Sequence, residues 1–101
     1  MFHIIIQTNG KVVSSNLEIK NTTEFFLKEG TKREMYNSIS TILKAISNTG
    51  FTLTETEIER MSKETILKIM SVDFKGIGIR HKVVSKGIVH MGYIKIYALR
   101  K

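Results

Sequence analysis

The chain has 101 residues, a length typical of one domain, and it lacks cysteine, which excludes disulfide bonds and thiolate metal sites. Its composition, 42% hydrophobic and 25% charged, is that of a globular domain and not of a disordered chain. No apolar run approaches the roughly 18 residues of a membrane-spanning helix, and no signal sequence follows the first Met. We therefore expect an intracellular protein, in the cytoplasm or the nucleus, without membrane contact.

Positive charge is concentrated in the last third of the chain. The net charge is +7, with nine basic and eight acidic side chains in residues 1–70. Residues 71–101 carry seven basic side chains against the single acid Asp73. A local excess of this kind favours a polyanionic partner, DNA or RNA, over a surface that serves solubility alone.

The first predicted elements are strands. Residues 2–8 are rich in β-prone side chains, and the pair at 9–10 is Asn-Gly, which favours a two-residue hairpin turn because both positions tolerate positive φ. Residues 11–19 are then the returning strand. Residues 24–28 predict a further strand, which stops before Gly30.

A helix is predicted over residues 32–48. Thr31 is an N-cap and Glu34, three residues later, completes a capping box. The apolar positions that follow recur at helical spacing and define one face: Met35, Ile39, Ile42, Leu43 and Ile46. A turn at 48–50 ends this helix.

Beyond the first helix, residues 51–58 alternate at their start and predict a strand. A second helix is expected from Ser62, as its N-cap, to about Val72. Strands over 74–80 and 91–99 follow, and a polar, glycine-containing hairpin arm over 81–90 connects them.

The last strand predicts two different faces. Ile94, Ile96 and Ala98 lie on one side, and Tyr93, Lys95 and Tyr97 lie on the other. Exposed tyrosines beside a lysine can stack on unpaired bases, although such residues more often pack on neighbouring strands. The predicted elements together describe an α+β domain of two layers, with both helices on one face of a mixed sheet.

From about residue 24 onward the sequence resembles the Alba superfamily of nucleic-acid-binding proteins, including its subunits of RNase P and RNase MRP. Four stretches support the resemblance: Leu27–Arg33, Asn48–Gly50 with the strand from Phe51, Arg60–Thr65, and Ile77–Arg80 with Tyr93–Lys101. It implies one domain over 1–101 with the order β-α-β-α-β-β. Residues 1–22 would form an added hairpin.

The resemblance implies a non-enzymatic, largely sequence-independent DNA- or RNA-binding protein, in chromatin or a ribonucleoprotein, with no cofactor, metal or small-molecule substrate. Its phosphate contacts would come from the loop before the first helix, the second helix and the hairpin arm, at Lys28, Lys32, Arg33, Arg60, Arg80, Lys82 and Lys86. The helix N-terminus after the loop is itself an anion-binding feature.

Surplus apolar residues on the second helix predict a partner surface, and the resemblance implies that the partner is a second copy or a related Alba-type subunit, in a homodimer or a heterodimer. They are Ile66, Leu67, Ile69 and Met70.

Two other functions remain open at this point. The basic patch could dock on an acidic protein, as in a small phage- or plasmid-like inhibitor. A small ribonuclease would instead need an acid and base pair, for which His81 and His90 are the candidates if they meet across the hairpin.

Overall fold

Four strands and two helices form the fold in a computed structural model that describes residues 1–12, 17–47, 53–71, 77–83 and 89–100. Their order along the chain is β1 (Phe2–Val12), β2 (Glu18–Leu27), α1 (Lys32–Ser47), α2 (Glu55–Ile69), β3 (Ile77–Val83) and β4 (Val89–Arg100). The α+β class is therefore confirmed, and α1 matches the helix predicted over 32–48 within one residue.

The strands form one sheet in the order β2-β1-β4-β3, with every neighbouring pair antiparallel. The prediction of a mixed sheet is therefore wrong for the strands that the structure describes. β1 lies inside the sheet and pairs with β2 on one side and with β4 on the other along almost its whole length. The sequence had predicted an added hairpin within residues 1–22 and a separate strand over 24–28. β1 instead pairs with one continuous strand, β2, and both belong to the main sheet.

The Asn9-Gly10 pair is a strand segment and not the predicted turn. Asn9 pairs with Lys20 and Tyr93, and Gly10 pairs with Ile19 and Gly92. Ladders on both sides of β1 supply backbone hydrogen bonds to these residues, and that tertiary pairing outweighs the local preference of Asn-Gly for a turn. The connection to β2 lies beyond Val12, where residues 13–16 fall outside the described part of the chain.

The second helix begins seven residues before the predicted Ser62. Thr54 is its N-cap: its Oγ1 accepts a hydrogen bond from Glu57 N at 3.1 Å, and Glu57 Oε1 accepts one from Thr54 N at 3.0 Å. The strand predicted over residues 51–58 is therefore wrong from Leu53 to Ile58, and residues 51–52 lie outside the described part of the chain. Because α2 follows α1 without a described strand between them, the predicted order β-α-β-α-β-β is wrong as well. Glu55 and Glu57 lie in the first turn of α2, where a negative charge interacts favourably with the helix dipole.

Ser62 lies in the middle of α2 and not at its N-cap. Its Oγ donates to the carbonyl of Ile58 at 2.7 Å and accepts a hydrogen bond from Ser40 Oγ of α1 at 3.0 Å. Both serines are buried, so each hydroxyl needs a partner, and this pair satisfies them where the two helices cross.

Alternation along the strands places the core on one face of the sheet. Ile4 and Ile6 of β1 are buried together with Ile94, Ile96 and Ala98 of β4, as predicted for β4. Both helices cover this face with their own buried side chains, including Met35, Ile39, Leu43 and Ile46 of α1 and Ile58, Met61, Ile66 and Ile69 of α2. Burying each such side chain contributes about 1.5–3 kcal/mol.

Replacing the N-cap by Thr54→Ala removes the acceptor for Glu57 N and half of the capping box. We expect the free energy of unfolding to fall by about 1 kcal/mol. Urea denaturation followed by circular dichroism measures the change. Thr56→Ala, at the second residue of α2 and exposed, is the matched control and should be neutral or slightly stabilising because Ala favours helices. Equal losses in the two variants would contradict this N-cap.

Candidate nucleic-acid interface

The face of the sheet away from the helices carries the polar and aromatic side chains of β1 and β4. Tyr93, Lys95 and Tyr97 alternate with the buried residues of β4, as the sequence predicted, and each is half-buried. The register places them beside Asn9, Gln7 and Ile5 of β1 respectively. Tyr93 and Tyr97 are four residues apart, which corresponds to roughly 13 Å along a strand. We call this surface the open face.

Tyr93 is oriented by two neighbours on the open face. Asn9 Nδ2 donates a hydrogen bond to Tyr93 Oη at 2.9 Å, which anchors the far end of the ring. Lys95 Nζ lies 5.3 Å from the ring centroid, within the range of a cation–π interaction. The lysine and the aromatic ring therefore form one unit in which a positive charge and a π-face are adjacent.

Tyr97 lies against β3, where its cross-strand partner is Gly78. A Cβ atom added to Gly78 would sit 3.2 Å from Cε1 and 3.3 Å from Cδ1 of the Tyr97 ring. These distances are shorter than an ordinary van der Waals contact, so the ring occupies space that a side chain at position 78 would need. The glycine therefore lets the ring lie across the neighbouring strand.

The two ends of the open face differ in charge. At one end His3 Nε2 lies 2.5 Å from Glu24 Oε1, and the His3 ring stacks on Phe26 at 5.0 Å between centroids. At the other end Lys11 is exposed and forms no ion pair with a described residue, and Lys95 is the cation beside Tyr93. A polyanion is attracted to the second end and repelled by the carboxylate of the first.

Two of the three residues predicted around the loop before α1 belong to the helix layer. Lys28 is exposed after β2, and Lys32 and Arg33 are exposed in the first turn of α1. The capping box predicted there is confirmed, since Glu34 N donates to Thr31 Oγ1 at 3.1 Å and Thr31 N donates to Glu34 Oε1 at 3.4 Å. The carboxylate of the chain itself thus occupies the helix N-terminus, where a bound phosphate was expected.

Lys32 and Arg33 line an open groove between the two helices, with Lys63 of α2. Arg60 is also exposed on α2. Because both helices cover the other face of the sheet, these cations and the open face belong to opposite layers of the domain. The predicted loop and the tyrosines of β4 do not form one surface.

The hairpin arm is described in part. Arg80 pairs with Lys95 and Lys82 pairs with Tyr93 in the register of β3 and β4, so both positions belong to the open face of the sheet. The third predicted cation of the arm, Lys86, lies outside the described residues.

The predicted dimer surface on α2 needs a correction. Ile66 is 5% exposed and Ile69 is fully buried, because both pack into the core of their own chain. Leu67 and Met70 remain, at 71% and 43% exposure. The apolar residues of α2 therefore divide between the core and the surface, and they do not form one surplus patch.

The two histidines proposed as an acid and base pair are not cross-strand partners. His81 pairs with Ile94, which is four residues, or roughly 13 Å of strand, from His90. Within the described ranges no group of three or more His, Asp or Glu side chains is arranged to hold a metal ion. Over the same residues, neither helix has the length and apolar content to cross a membrane.

Comparisons with known proteins reveal no relative. No family model matches the chain, and neither a curated protein nor a solved structure is similar to it. Function is therefore inferred from the chemistry of the two surfaces.

Sequence reasoning missed the contribution of β1 to the open face, namely Gln7, Asn9 and Lys11. Their alternation with buried neighbours was visible in the sequence, but the pairing of β1 with β4 depends on contacts more than 80 residues apart. Lys63 and Tyr36 of the helix groove were missed because the groove depends on how α1 and α2 pack against each other, which the apolar pattern of each helix alone does not specify.

Gly78→Ala tests the placement of the Tyr97 ring. The added methyl group should push the ring outward, which costs stability. Ala is more favourable than Gly within a strand, so this gain offsets the cost and the free energy of unfolding should change by less than about 1 kcal/mol. We expect the aromatic NMR resonances of Tyr97 to shift and those of Tyr36, in the helix layer, to stay unchanged. Unchanged Tyr97 resonances would show that the ring does not lie over position 78.

Proposed function

We propose that this chain is a non-enzymatic nucleic-acid-binding protein that receives a single-stranded segment of DNA or RNA on its open face. The observation that carries the proposal is the row of Tyr93, Lys95 and Tyr97 on a sheet face that neither helix covers. Aromatic rings supply stacking surfaces for unpaired bases, and the lysine between them supplies a charge for the phosphate backbone.

The geometry favours a single strand over a duplex. Bases in a duplex are stacked on one another, so a flat sheet with aromatic side chains has no base surface to contact. An unpaired segment can place its bases on Tyr93 and Tyr97 while its phosphates run toward Lys95 and Lys11. Asn9 supports this role indirectly because it holds the Tyr93 ring in place.

Binding of this kind is largely independent of sequence. Every base has a π-face, so stacking tolerates any base, and phosphate contacts carry no sequence information. Further phosphate contacts are proposed at Arg80, Lys82 and Lys86 of the hairpin arm, whose first two positions flank the open face. Lys32, Arg33 and Arg60 of the helix layer are weaker candidates, because they lie on the opposite side of the domain. Lys28, in the loop between β2 and α1, remains a proposed contact.

Alba-like architecture and an intracellular location remain proposals. The order β1-β2-α1-α2-β3-β4 limits the resemblance to the two-layer arrangement, the basic loop before α1 and the final hairpin.

A dimer through α2 would now rest on Leu67 and Met70, while a standard interface buries about 800 Å² on each partner. Size-exclusion chromatography with light scattering decides between a monomer and a homodimer or heterodimer.

Tyr97→Ala should weaken the binding of a labelled 12-nucleotide single-stranded RNA, because it removes one stacking surface. Loss of a base stack costs about 1–3 kcal/mol, which is roughly 5-fold to 150-fold in Kd. Fluorescence anisotropy at constant salt measures the change, and circular dichroism confirms that the variant is folded. Wild-type affinity in this variant would overturn the assignment of the open face.

Lys95→Ala and Lys44→Ala form a matched pair, since the first lysine lies on the open face and the second is exposed on α1. We expect Lys95→Ala to lower the slope of log K against log salt by about 0.7, the value for one lost phosphate contact on a single strand. Lys44→Ala should leave the slope unchanged. Equal slopes in both variants, or an affinity that is independent of salt, would contradict the proposal.

A further inference from the structure

The outer surface of the helix layer contains a groove between the start of α1 and the second half of α2. Its volume is about 320 Å³, and it is lined by Lys32, Arg33, Tyr36, Lys63, Ile66 and Leu67. Leu67 is 71% exposed and lines the groove together with the half-buried ring of Tyr36, so the two form an apolar surface that a ligand can reach. The groove therefore combines an accessible apolar floor with three cationic side chains at its rim.

The rim cations differ in how far the chain itself neutralises them. Lys63 Nζ donates to Glu59 Oε1 at 2.6 Å, and this hydrogen bond raises the pKa of Lys63, so the amine stays charged but already has a partner. Lys32 and Arg33 form no ion pair with a carboxylate of the described ranges. Two charges are therefore available to a ligand that lies against Tyr36 and Leu67.

A second copy of this chain has few carboxylates to offer these cations. Most of its glutamates already hold hydrogen bonds or ion pairs within the chain: Glu18, Glu24, Glu29, Glu34, Glu57 and Glu59. A twofold contact through this groove would also bring Lys32 and Arg33 of the two copies toward each other. Self-association is thus disfavoured by charge.

A nucleic acid is also a poor match for the groove. The floor has one aromatic ring, Tyr36, beside the aliphatic Ile66 and Leu67, so it offers unpaired bases one stacking surface where the open face offers two. A phosphate backbone lying along the floor would lose hydration without gaining hydrogen bonds there. Only the rim would interact with the phosphates.

We propose that this groove binds an acidic segment of a partner protein, which inserts an apolar side chain against Tyr36 and Leu67 and places carboxylates beside Lys32 and Arg33. The inference does not depend on nucleic-acid binding, because the groove and the open face lie on opposite layers of the domain. Docking on an acidic protein was an alternative function that the sequence left open, and the groove is a binding site for such a partner. A chain with both sites can hold a nucleic acid and a protein at once.

Selection of a random 12-residue peptide library on the whole protein, with depletion on Leu67→Glu, tests the chemistry of the occupant. We expect the enriched peptides to combine Asp or Glu with at least one large apolar residue. Enrichment of basic peptides, of peptides without acidic residues, or of no shared pattern would overturn the proposal.

Titration of the best selected peptide then tests the groove itself. Arg33→Glu and Leu67→Ser should each weaken binding by about tenfold or more, as expected for a charged and an apolar anchor. Lys44→Glu is the matched control on the same helix: it makes the same charge change away from the groove and should alter Kd less than about threefold. Equal effects of Arg33→Glu and Lys44→Glu would mean general charge attraction and would overturn the site.

Two further measurements separate this proposal from the others. Light scattering on wild type and Leu67→Ser shows whether Leu67 instead supports a dimer. If wild type is a dimer and Leu67→Ser is a monomer, a second copy of the chain occupies the groove and the proposal is overturned. Anisotropy with the 12-nucleotide RNA should give the same Kd for wild type and Leu67→Ser. Loss of RNA binding in folded Leu67→Ser would make the groove part of the nucleic-acid site and would overturn the separate role proposed here.

Discussion

Two helices can cover only one face of this four-stranded sheet, and the rest of the structure follows from that constraint. Helices of 16 and 15 residues are about 24 Å long and pack 8–10 Å apart, which matches one face of a sheet whose outer strands are roughly 14 Å apart. The uncovered face must be compatible with water or with a partner. The side chains of Tyr93, Lys95, Tyr97, Gln7 and Asn9 fulfil that condition. A continuous stripe of valine and isoleucine side chains would not.

The helix layer and the alternation of β4 could be derived from the sequence. α1 was predicted because Thr31 and Glu34 form a capping box ahead of a helical apolar pattern, and the structure confirms both. The same Thr-x-x-Glu signal stands at Thr54 and Glu57, where a short apolar-polar alternation outweighed it in our prediction. For the second helix the local sequence was sufficient, and its start could have been found.

The position of β1 could not be derived in the same way. Strand order depends on pairings between residues far apart in the chain, and Asn9-Gly10 carries a strong local preference for a turn that the sheet overrides. As a consequence the phosphate contacts predicted from the sequence were limited to the loop before α1, Arg60 and the hairpin arm. In the structure Lys32 and Arg33 lie on the helix layer, whereas Lys95, which was not among the predicted contacts, lies on the open face with Tyr93.

The strand order leaves β2 as a ten-residue edge of the sheet, with hydrogen-bonding groups on its outer side that no described strand meets. Such an edge can recruit a strand from another molecule, which is the usual first step of aggregation. Glu18, Lys20 and Glu24 place alternating charges along it, so an incoming strand must match their order as well as the backbone spacing. High salt, which screens these charges, should therefore promote the aggregation of concentrated protein.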